Sequence, residues 1–346
     1  MHDRLEDLGG WPAVLGPLTR GLDITADHAR AAMAEILAGN ATSAQIAAFI
    51  VALRMKGETV DELGGLLEAM YGASERVPLD DVTGVVDVVG TGGDRSHSVN
   101  VSTMAALVVA GAGVRVCKHG NRAASSVCGS ADLLEALGVR ADLDPNGVAR
   151  CVQEAGMGFC FAPRFHPAMR HAVPTRRELG VPTVFNFLGP LANPACVRRQ
   201  VVGVADPSMA VRMARVLAAR GAERVLVVYG DDGLDELTTT TTSTVVELVD
   251  GEVCTTKVDP AELGLARAEP DALRGGEAAV NAAAARSVLA GDVGAHRDVV
   301  LLNAAAGLLA AGVADSFGAG LEQAGASIDS GAAASTLERL VVVSNG

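Results

Sequence analysis

The sequence predicts an α/β fold, with a small N-terminal helical domain and a larger α/β domain whose mostly parallel central sheet is flanked by helices. Over the first 80 residues, apolar side chains recur at helical spacing only. A run rich in β-branched residues follows at 85–89, and beyond it helix-like and strand-like segments alternate. Such alternation is typical of parallel strands joined by helical crossovers. We therefore place the helical domain at 1–80 and the α/β domain at 81–346.

The helical domain is predicted from spacing and from a capping signal. Apolar residues follow a helical period at 31–37 and at 46–51, and Asn40 and Gly57 interrupt it. Thr59 precedes a further helix at 61–71 and is the expected N-cap.

The α/β domain begins with the run at 85–89, which has the length and composition of a buried parallel strand. Further strands are predicted at 114–117 and 224–229, and a hairpin is predicted over 245–258 with its turn at Asp250 and Gly251. Helices are predicted at 100–112, 130–137, 207–219, 278–289 and 299–309.

Composition limits the partners and the compartment. Lys and Arg number 28 against 41 Asp and Glu, a net charge of −13, which disfavours nucleic acid and anionic membranes. The six cysteines show no C-x-x-C spacing, so we expect mostly buried free thiols in a reducing compartment. The N-terminus has no signal-like apolar core, and the longest apolar run falls short of the roughly 20 residues that a bilayer needs. We expect a cytoplasmic protein. If its substrate is an anion, it needs a local positive site or a metal.

A glycine-rich loop, Gly90-Thr91-Gly92-Gly93-Asp94, follows the first strand. Glycines let backbone N–H groups approach a phosphate, and the next helix offers its positive N-terminus. The loop matches neither the dinucleotide fingerprint nor the P-loop. A tight turn and a phosphate site are equally good interpretations of these residues alone.

Polar residues open the next helix and follow the second strand. Helix capping explains one or two of Asn100, Ser102 and Thr103, and the hydroxyls could instead face a phosphate or a hydrated metal. Ligands of open parallel sheets lie beyond the carboxyl ends of the strands, so the glycine loop and the second strand end should share one crevice. The second strand end is rich in donors, as an anion requires: Lys118, His119, Asn121, Arg122, Ser125, Ser126 and Ser130.

Two interpretations stay open for the acidic segment from Asp231 to Glu236. Asp231-Asp232-Gly233 is good turn chemistry, which favours a solvated turn. Asp235 and Glu236 could instead hold Mg²⁺, because this ion takes one or two carboxylates together with water and phosphate oxygens. In the polar segment 161–194, most arginines should be solvated, but one could form a bidentate pair with an acidic aromatic substrate.

Together these residues resemble anthranilate phosphoribosyltransferases, from about residue 15 to about residue 340. Six motifs occur in the family's order: Gly90-Thr91-Gly92-Gly93-Asp94, Asn100-Val101-Ser102-Thr103, Lys118-His119-Gly120-Asn121-Arg122, Gly129-Ser130-Ala131-Asp132, the segment 161–194 and Gly233-Leu234-Asp235-Glu236. The resemblance implies transfer of a phosphoribosyl group from 5-phosphoribosyl 1-diphosphate (PRPP) to the amine of anthranilate, in tryptophan biosynthesis.

The resemblance also implies a set of ligands and an assembly. The site would lie at a hinge, the helical domain would be completed by part of 163–182, and the helical part would form a homodimer. The residues implied for PRPP are Gly90, Thr91, Gly93, Asp94, Asn100, Ser102, Thr103, Lys118 and Ser130. Those implied for anthranilate are Gly90, His119, Asn121, Ala162, Pro163, His166 and Arg176. Ser102, Asp235 and Glu236 would hold two Mg²⁺ ions per monomer, and His119 either accepts the amine proton or only orients the amine.

The same fold also supports two alternative functions. A pyrimidine nucleoside phosphorylase-like enzyme would also break a bond at the ribose C1′, but it needs no Mg²⁺ pair, so Asp235 and Glu236 disfavour it. A non-catalytic nucleic-acid-binding homologue should carry a broad basic surface, and this chain has the opposite charge balance.

Overall fold

A computed structural model describes residues 4–123 and 127–346. Ser125 and Ser126 of the donor-rich segment lie outside the described residues. The chain begins with four helices, α1 (Gly10–Leu18), α2 (Ala26–Ala38), α3 (Ser43–Lys56) and α4 (Val60–Gly72). The predicted cap of α4 is confirmed, since Thr59 Oγ1 accepts a hydrogen bond from Glu62 N and Thr59 N donates to the Glu62 carboxylate.

The central sheet has seven strands in the order β3-β2-β1-β4-β5-β6-β7. Its strands are β1 (Val86–Gly90), β2 (Val116–Gly120), β3 (Met157–Phe161), β4 (Arg199–Gly203), β5 (Arg224–Gly230), β6 (Ser243–Val249) and β7 (Glu252–Val258). The first five are parallel, and β6 and β7 form the predicted antiparallel hairpin. The predicted α/β architecture with a mostly parallel sheet is confirmed.

Helices cover both faces of this sheet. They are α5 (Val101–Gly111), α6 (Ser130–Ala136), α7 (Pro145–Ala155), α8 (Ala162–Phe165), α9 (Val173–Leu179), α10 (Val184–Leu191), α11 (Ala210–Ala219), α12 (Ala278–Leu289), α13 (Ala295–Ala311), α14 (Phe317–Asp329) and α15 (Ala332–Asn345). Short 3₁₀ turns occupy Pro167–His171, Pro207–Met209, Pro260–Leu263 and Pro270–Leu273.

Two apolar cores lie on opposite faces of the sheet. On one face, Val88 packs with residues of α5, α7 and α13, such as Leu107, Val152 and Leu302. On the other face, Val227 packs with α10 and α11 and with the N-terminal helices, as Ile36 and Leu188 illustrate. The parallel strands β1 to β5 are therefore buried on both sides, as in parallel sheets generally, whereas most of β7 is exposed.

Several predicted boundaries were wrong. The second strand spans Val116–Gly120 rather than 114–117, because its hydrogen-bonded partner β3 runs alongside as far as Phe161. Lys118 and His119 therefore lie within β2 and not after it. Strands β3 and β4 and helices α7 to α10, α14 and α15 were not predicted. β3 contains no β-branched residue, so only its pairing with β2 identifies it as a strand.

The thiols and the helix lengths also bear on the predictions. All six cysteines are free, four of them buried, with Cys196 partly exposed and Cys254 exposed. Among the described residues, no helix combines the length and the apolar character that a membrane crossing requires.

Candidate active site

The sheet order creates a switch point between β1 and β4, where connections leave in opposite directions. Gly90 and Gly203 pair at the carboxyl ends of these strands, and ligands of such sheets bind just beyond them. Two segments meet there. Gly92 N, in the glycine loop after β1, donates to Asp235 Oδ2 at 2.6 Å, and Ser102 N, at the start of α5, donates to Glu236 Oε1 at 3.2 Å. The glycine loop and the start of α5 therefore both contact the acidic pair Asp235 and Glu236.

Asp94, Asp235 and Glu236 form a carboxylate cluster in this crevice. Asp235 and Glu236 are only 8% and 7% exposed. Burial, together with the nearby Asp94 and Glu236 carboxylates, raises the pKa of Asp235 well above its usual value. Burial also raises the pKa of Glu236 to about 7, although Lys118 opposes the shift. The cluster concentrates negative charge where little water reaches it, which is the environment that a divalent cation stabilises.

Glycines allow the turn that carries Asp235 to lie against the strand ends. A Cβ atom on Gly203 would lie 1.7 Å from the Asp235 carbonyl oxygen, and one on Gly90 would lie 2.7 Å from Asp235 Oδ2. Neither distance is sterically possible. Part of the glycine pattern is thus explained by the close approach of the acidic turn, and not only by a phosphate.

Lys118 supplies the positive charge of the crevice. Its side chain is 1% exposed, and Nζ donates to the Val88 carbonyl and, at 3.2 Å, to Ser102 Oγ. Burial lowers the pKa of Lys118, while Asp87, Glu236 and Asp235 act in the opposite direction. The amine therefore lies between the end of β1 and the start of α5, at the predicted phosphate site.

The opening residues of α5 do not cap their own helix, so that interpretation was wrong. Asn100 makes no capping bond; its Nδ2 donates to the Cys128 carbonyl at 3.0 Å, and its Oδ1 accepts from Asn281 Nδ2 at 2.8 Å. Glu236, which lies in a distant part of the chain, caps the helix instead, because its carboxylate accepts a hydrogen bond from Ser102 N. Thr103 Oγ1 is buried, and it has no hydrogen-bond partner among the described residues.

The two acidic pairs in the 231–236 segment have different roles. Asp231 binds Lys257 Nζ at 2.6 Å and the Thr242 hydroxyl at 2.5 Å. Asp232 accepts from the hydroxyls of Thr238, at 2.8 Å, and Thr240. These aspartates hold the threonine run as a turn, while Asp235 and Glu236 face the crevice.

His119 and His166 form a histidine pair on the other side of β2. Their ring centroids are 5.2 Å apart. Burial lowers the pKa of His119 to about 3, opposed only in part by a hydrogen bond to the Gly189 backbone, and burial lowers that of His166 to about 4. His166 Nε2 contacts the Ala192 carbonyl at 3.1 Å, whereas His119 Nε2 is buried with no partner in the described ranges. Both rings are therefore neutral at pH 7.

Arg176 lies on α9 and contacts an aromatic ring. Its guanidinium carbon is 5.0 Å from the centre of the Phe185 ring, and burial lowers its pKa. Within the described part of the chain this guanidinium forms neither an ion pair nor a hydrogen bond, so its five donors are available to a carboxylate.

The remaining predicted residues lie on the segments that follow β2 and β3. Ala162 begins α8 after β3, and Pro163 is exposed. Asn121 is exposed and accepts from Arg122 N at 2.8 Å, while Ser130 begins α6. Arg122 is unavailable to an anion, because Asp132 and Glu135 bind its guanidinium at 2.7–2.8 Å.

The donor set fits Mg²⁺. In residues 4–123 and 127–346, no group of three or more His, Cys, Asp or Glu side chains is arranged to hold a metal by itself. Mg²⁺ does not need such a group, because it is usually held by one or two carboxylates and completes its shell with water and substrate phosphates.

Comparison with known proteins identifies the family. Residues 82–334 match the model of the glycosyl transferase family α/β domain, and residues 12–74 match its helical bundle domain. Anthranilate phosphoribosyltransferase of Rhodococcus jostii is 58% identical, over all of this chain and 96% of that protein. That of Nocardioides sp. is 57% identical, over 96% of this chain and 98% of that protein.

The chain belongs to the anthranilate phosphoribosyltransferase family. Solved structures of the family agree. The Thermus thermophilus enzyme is 42% identical and superposes with a TM-score of 0.90, over 96% of this chain and 99% of that chain. The Saccharomyces cerevisiae enzyme in complex with PRPP and Mg is 27% identical, with a TM-score of 0.87 over 97% of this chain and 98% of that chain. The resemblance drawn from the sequence is confirmed.

Three buried polar residues were missed by the sequence analysis. Asp87 lies inside β1, accepts from His119 N at 3.0 Å and from Asn193 Nδ2 at 2.7 Å, and has a pKa that burial raises to about 6. Asn281 orients Asn100, and Asn303 binds the backbone of Leu237. The available signal was a charged or amide side chain inside an otherwise apolar strand or helix. Such a group is buried only where it has hydrogen-bond or ion-pair partners.

Proposed function

We propose that the protein transfers the phosphoribosyl group of PRPP to the amine of anthranilate, giving N-(5-phosphoribosyl)anthranilate and diphosphate in tryptophan biosynthesis. The observation that carries the proposal is the arrangement at the β1–β4 switch point. There the buried carboxylates of Asp235 and Glu236 meet the glycine loop, Ser102 and Lys118. This places cation ligands beside phosphate donors, as a diphosphate leaving group requires.

The carboxylate cluster and Lys118 would bind the donor. Asp235, Glu236 and the Ser102 hydroxyl would hold two Mg²⁺ ions. Mg²⁺ bound there neutralises charge that develops on the departing diphosphate. The glycine loop, Asn100, Thr103, Lys118 and Ser130 would contact PRPP, and Thr103 Oγ1 is a buried hydroxyl still available for this contact. This use of a metal explains how a chain with a net charge of −13 binds a polyanion.

The histidine pair and Arg176 would bind anthranilate. The Arg176 guanidinium, unpaired among the described residues and stacked on Phe185, is suited to a bidentate pair with the anthranilate carboxylate. His119, Asn121, Ala162, Pro163 and His166 would line the remainder of this site. These assignments rest on the family's motif positions and on the burial and charge of the side chains.

In the reaction, the C1′–O bond to diphosphate breaks, positive charge builds on the ribose, and the amine nitrogen forms the new bond to C1′. The nitrogen then loses one proton, which passes to water or to the departing diphosphate. We infer that His119 orients the amine and does not act as a strong base. Its ring is held neutral with a pKa of about 3, so it accepts a hydrogen bond but retains a proton poorly. Positioning and electrostatics would then provide most of the acceleration.

We further propose the division into a helical domain, 1–80, completed by part of 163–182, and an α/β domain, 81–346. The family models meet between residues 74 and 82, which supports it. Contacts of α2 with the 3₁₀ turn Pro167–His171 and of α3 with α9 support the contribution of 163–182. A homodimer formed through the helical part and a cytoplasmic location complete the proposal.

The experiment that tests the reaction follows the fluorescence of anthranilate in the presence of purified protein, PRPP and Mg²⁺. We expect a loss of fluorescence that EDTA abolishes and that matches the diphosphate released. If no anthranilate is consumed at high protein concentration, the acceptor assignment is wrong. Phosphorolysis of pyrimidine nucleosides would be assayed next, as the same fold can support that reaction.

A further inference from the structure

Asn303 is a buried amide in an otherwise apolar helix. From Val299 to the end of α13 at Ala311, every residue is buried, and Asn303 is the one polar side chain among them, with 0% exposure. Asparagine is a poor residue for a helix interior, and a buried amide is costly unless it is hydrogen-bonded. Its position therefore calls for a specific partner.

That partner is the backbone of Leu237. Leu237 N donates to Asn303 Oδ1 at 3.0 Å, and Asn303 Nδ2 donates to the Leu237 carbonyl at 2.8 Å. Nδ2 also donates to the Val299 carbonyl at 2.9 Å, one helical turn earlier. The two bonds to Leu237 run in opposite directions, so rotating the amide would break both. Asn303 thus fixes the position of one peptide segment on α13.

Leu237 directly follows the proposed metal ligands. Two residues before Leu237, Asp235 lies directly against the strand ends, where Gly203 and Gly90 leave no space for a side chain. The turn is therefore held at Asp235 by the ends of β1 and β4 and at Leu237 by Asn303. In their charged forms Asp94, Asp235 and Glu236 would repel one another, and the bonds from Asn303 hold the backbone next to Glu236 in place.

We propose that Asn303 is a positioning residue that sets the Asp235 and Glu236 carboxylates at the spacing needed to bind Mg²⁺ with PRPP. The inference rests on the proposed function, because it requires that these carboxylates hold the metal. Asn303 contacts neither substrate nor metal in this assignment; it acts through the backbone at Leu237. Side chains that orient metal ligands in this way commonly change metal affinity about 10–100-fold when they are replaced.

The test uses equilibrium dialysis of radiolabelled PRPP at increasing free Mg²⁺, which measures binding without turnover. Asn303→Leu removes all three hydrogen bonds at similar side-chain size. Asn303→Ala is the second variant, because its smaller side chain leaves space for water to satisfy Leu237 if the leucine variant does not fold. Ser327→Ala is the matched control, since it also removes one buried hydrogen bond, from Ser327 Oγ to the Val108 carbonyl, at a distance from the crevice.

We expect the Mg²⁺ concentration for half-maximal PRPP binding to rise at least about 10-fold in the folded Asn303 variants and to stay within about twofold in Ser327→Ala. An unchanged Mg²⁺ requirement in a folded Asn303 variant would overturn the inference, whatever the change in melting temperature. Asp235→Asn/Glu236→Gln separates the two proposals. If that variant binds PRPP with the Mg²⁺ dependence of the parent protein, the metal site itself is wrong and Asn303 has no such role.

Discussion

The carboxylate cluster and the histidine pair lie on opposite sides of β2, where the neighbouring residues Lys118 and His119 face one group each. Successive side chains of a strand point to opposite faces. Lys118 reaches Ser102 on α5, whereas His119 contacts the Gly189 backbone on α10 and the ring of His166. The Lys118 side of β2 faces the carboxylate cluster, and the His119 side holds two neutral rings.

Burial shifts the pKa values of the two groups in directions that give opposite pH dependence. The pKa of Glu236 rises from 4.5 to about 7, so the metal-free folded protein holds more protons than the unfolded chain in that window and loses stability as pH rises. The pKa of His119 falls from 6.5 to about 3, so the unfolded chain holds more protons there and stability falls as pH drops below 6.5. In the metal-free protein, burial thus favours the neutral form of both Glu236 and His119, and only on the proposed donor side would a bound cation restore the charged form.

The largest expected effect comes from removing the charge of the carboxylate cluster. Asp235→Asn/Glu236→Gln should abolish turnover at any accessible Mg²⁺ concentration, while stabilising the metal-free protein at pH 7 by the order of 2 kcal/mol. Gln keeps an acceptor oxygen for Ser102 N, so only the charge is lost. Denaturant unfolding in EDTA at pH 5 and pH 7 measures the gain, which should shrink toward pH 5. Parent-like turnover, or a loss of stability at pH 7, would refute the role given to this cluster.

The second-largest expected effect is steric and also concerns the carboxylate cluster. Gly203→Ala would force the Asp235 carbonyl away, because the new Cβ lies 1.7 Å from that oxygen. We expect kcat/KM to fall by about 100-fold or more, as displacements near 1 Å do in other enzymes. Gly64→Ala is the control: Gly64 lies inside α4 with no atom within 4 Å of the new Cβ. Steady-state kinetics, with circular dichroism as a check of folding, should show loss in Gly203→Ala only. Equal activity in both variants would mean that the turn is not held by this contact.

A smaller and separable effect is expected on the histidine side. Arg176→Ala should raise the KM for anthranilate by about 30-fold or more, since losing one partner of a desolvated ion pair typically costs about 2–5 kcal/mol. The KM for PRPP should change by less than about threefold. Arg176→Lys keeps the charge but not the planar fork, and it should recover only part of the loss. Initial rates at varied concentrations of each substrate distinguish the two sides. An unchanged KM for anthranilate would remove Arg176 from the acceptor site.

The smallest effect concerns stability alone. His119→Gln should flatten the pH dependence of the unfolding free energy between pH 4 and pH 6, by no more than about 1.4 kcal/mol per pH unit. The sign follows from the lowered pKa of His119: the native ring stays neutral while the unfolded one takes up a proton. Urea unfolding of both proteins over this range, in EDTA, gives the two slopes. Identical slopes would show that His119 is not buried in its neutral form.

The sequence predicted the groups that local pattern reveals and missed those that depend on distant partners. The glycine loop, Lys118 and Glu236 stand next to strands recognisable by β-branched residues, so their approach at one sheet edge follows from parallel topology. Asn303 gives no such signal. Its partner Leu237 lies 66 residues earlier, and the alanine-rich helix around it reads only as buried.

Dependence on distant partners also explains the errors in the predicted fold. β3 and β4 are short, and pairing with β2 and β1 establishes them as strands more than their own composition does. The capping interpretation of Asn100 failed because the group that satisfies the helix start, Glu236, comes from another element 134 residues later than Ser102. Side-chain burial, and with it the neutrality of His119, likewise depends on α10, which no local pattern links to β2.

The most direct test of the contrast between the two sides is the binding of radiolabelled PRPP as a function of free Mg²⁺, measured by equilibrium dialysis for the parent protein, Asp235→Asn/Glu236→Gln and Arg176→Ala. We predict Mg²⁺-dependent binding in the parent and in Arg176→Ala with Kd values within about threefold, because the acceptor site carries none of the metal ligands. The double variant should show no Mg²⁺-dependent binding. Parent-like binding by the double variant, or loss of Mg²⁺ dependence in Arg176→Ala, would contradict the separation of a metal-dependent donor side from a metal-independent acceptor side.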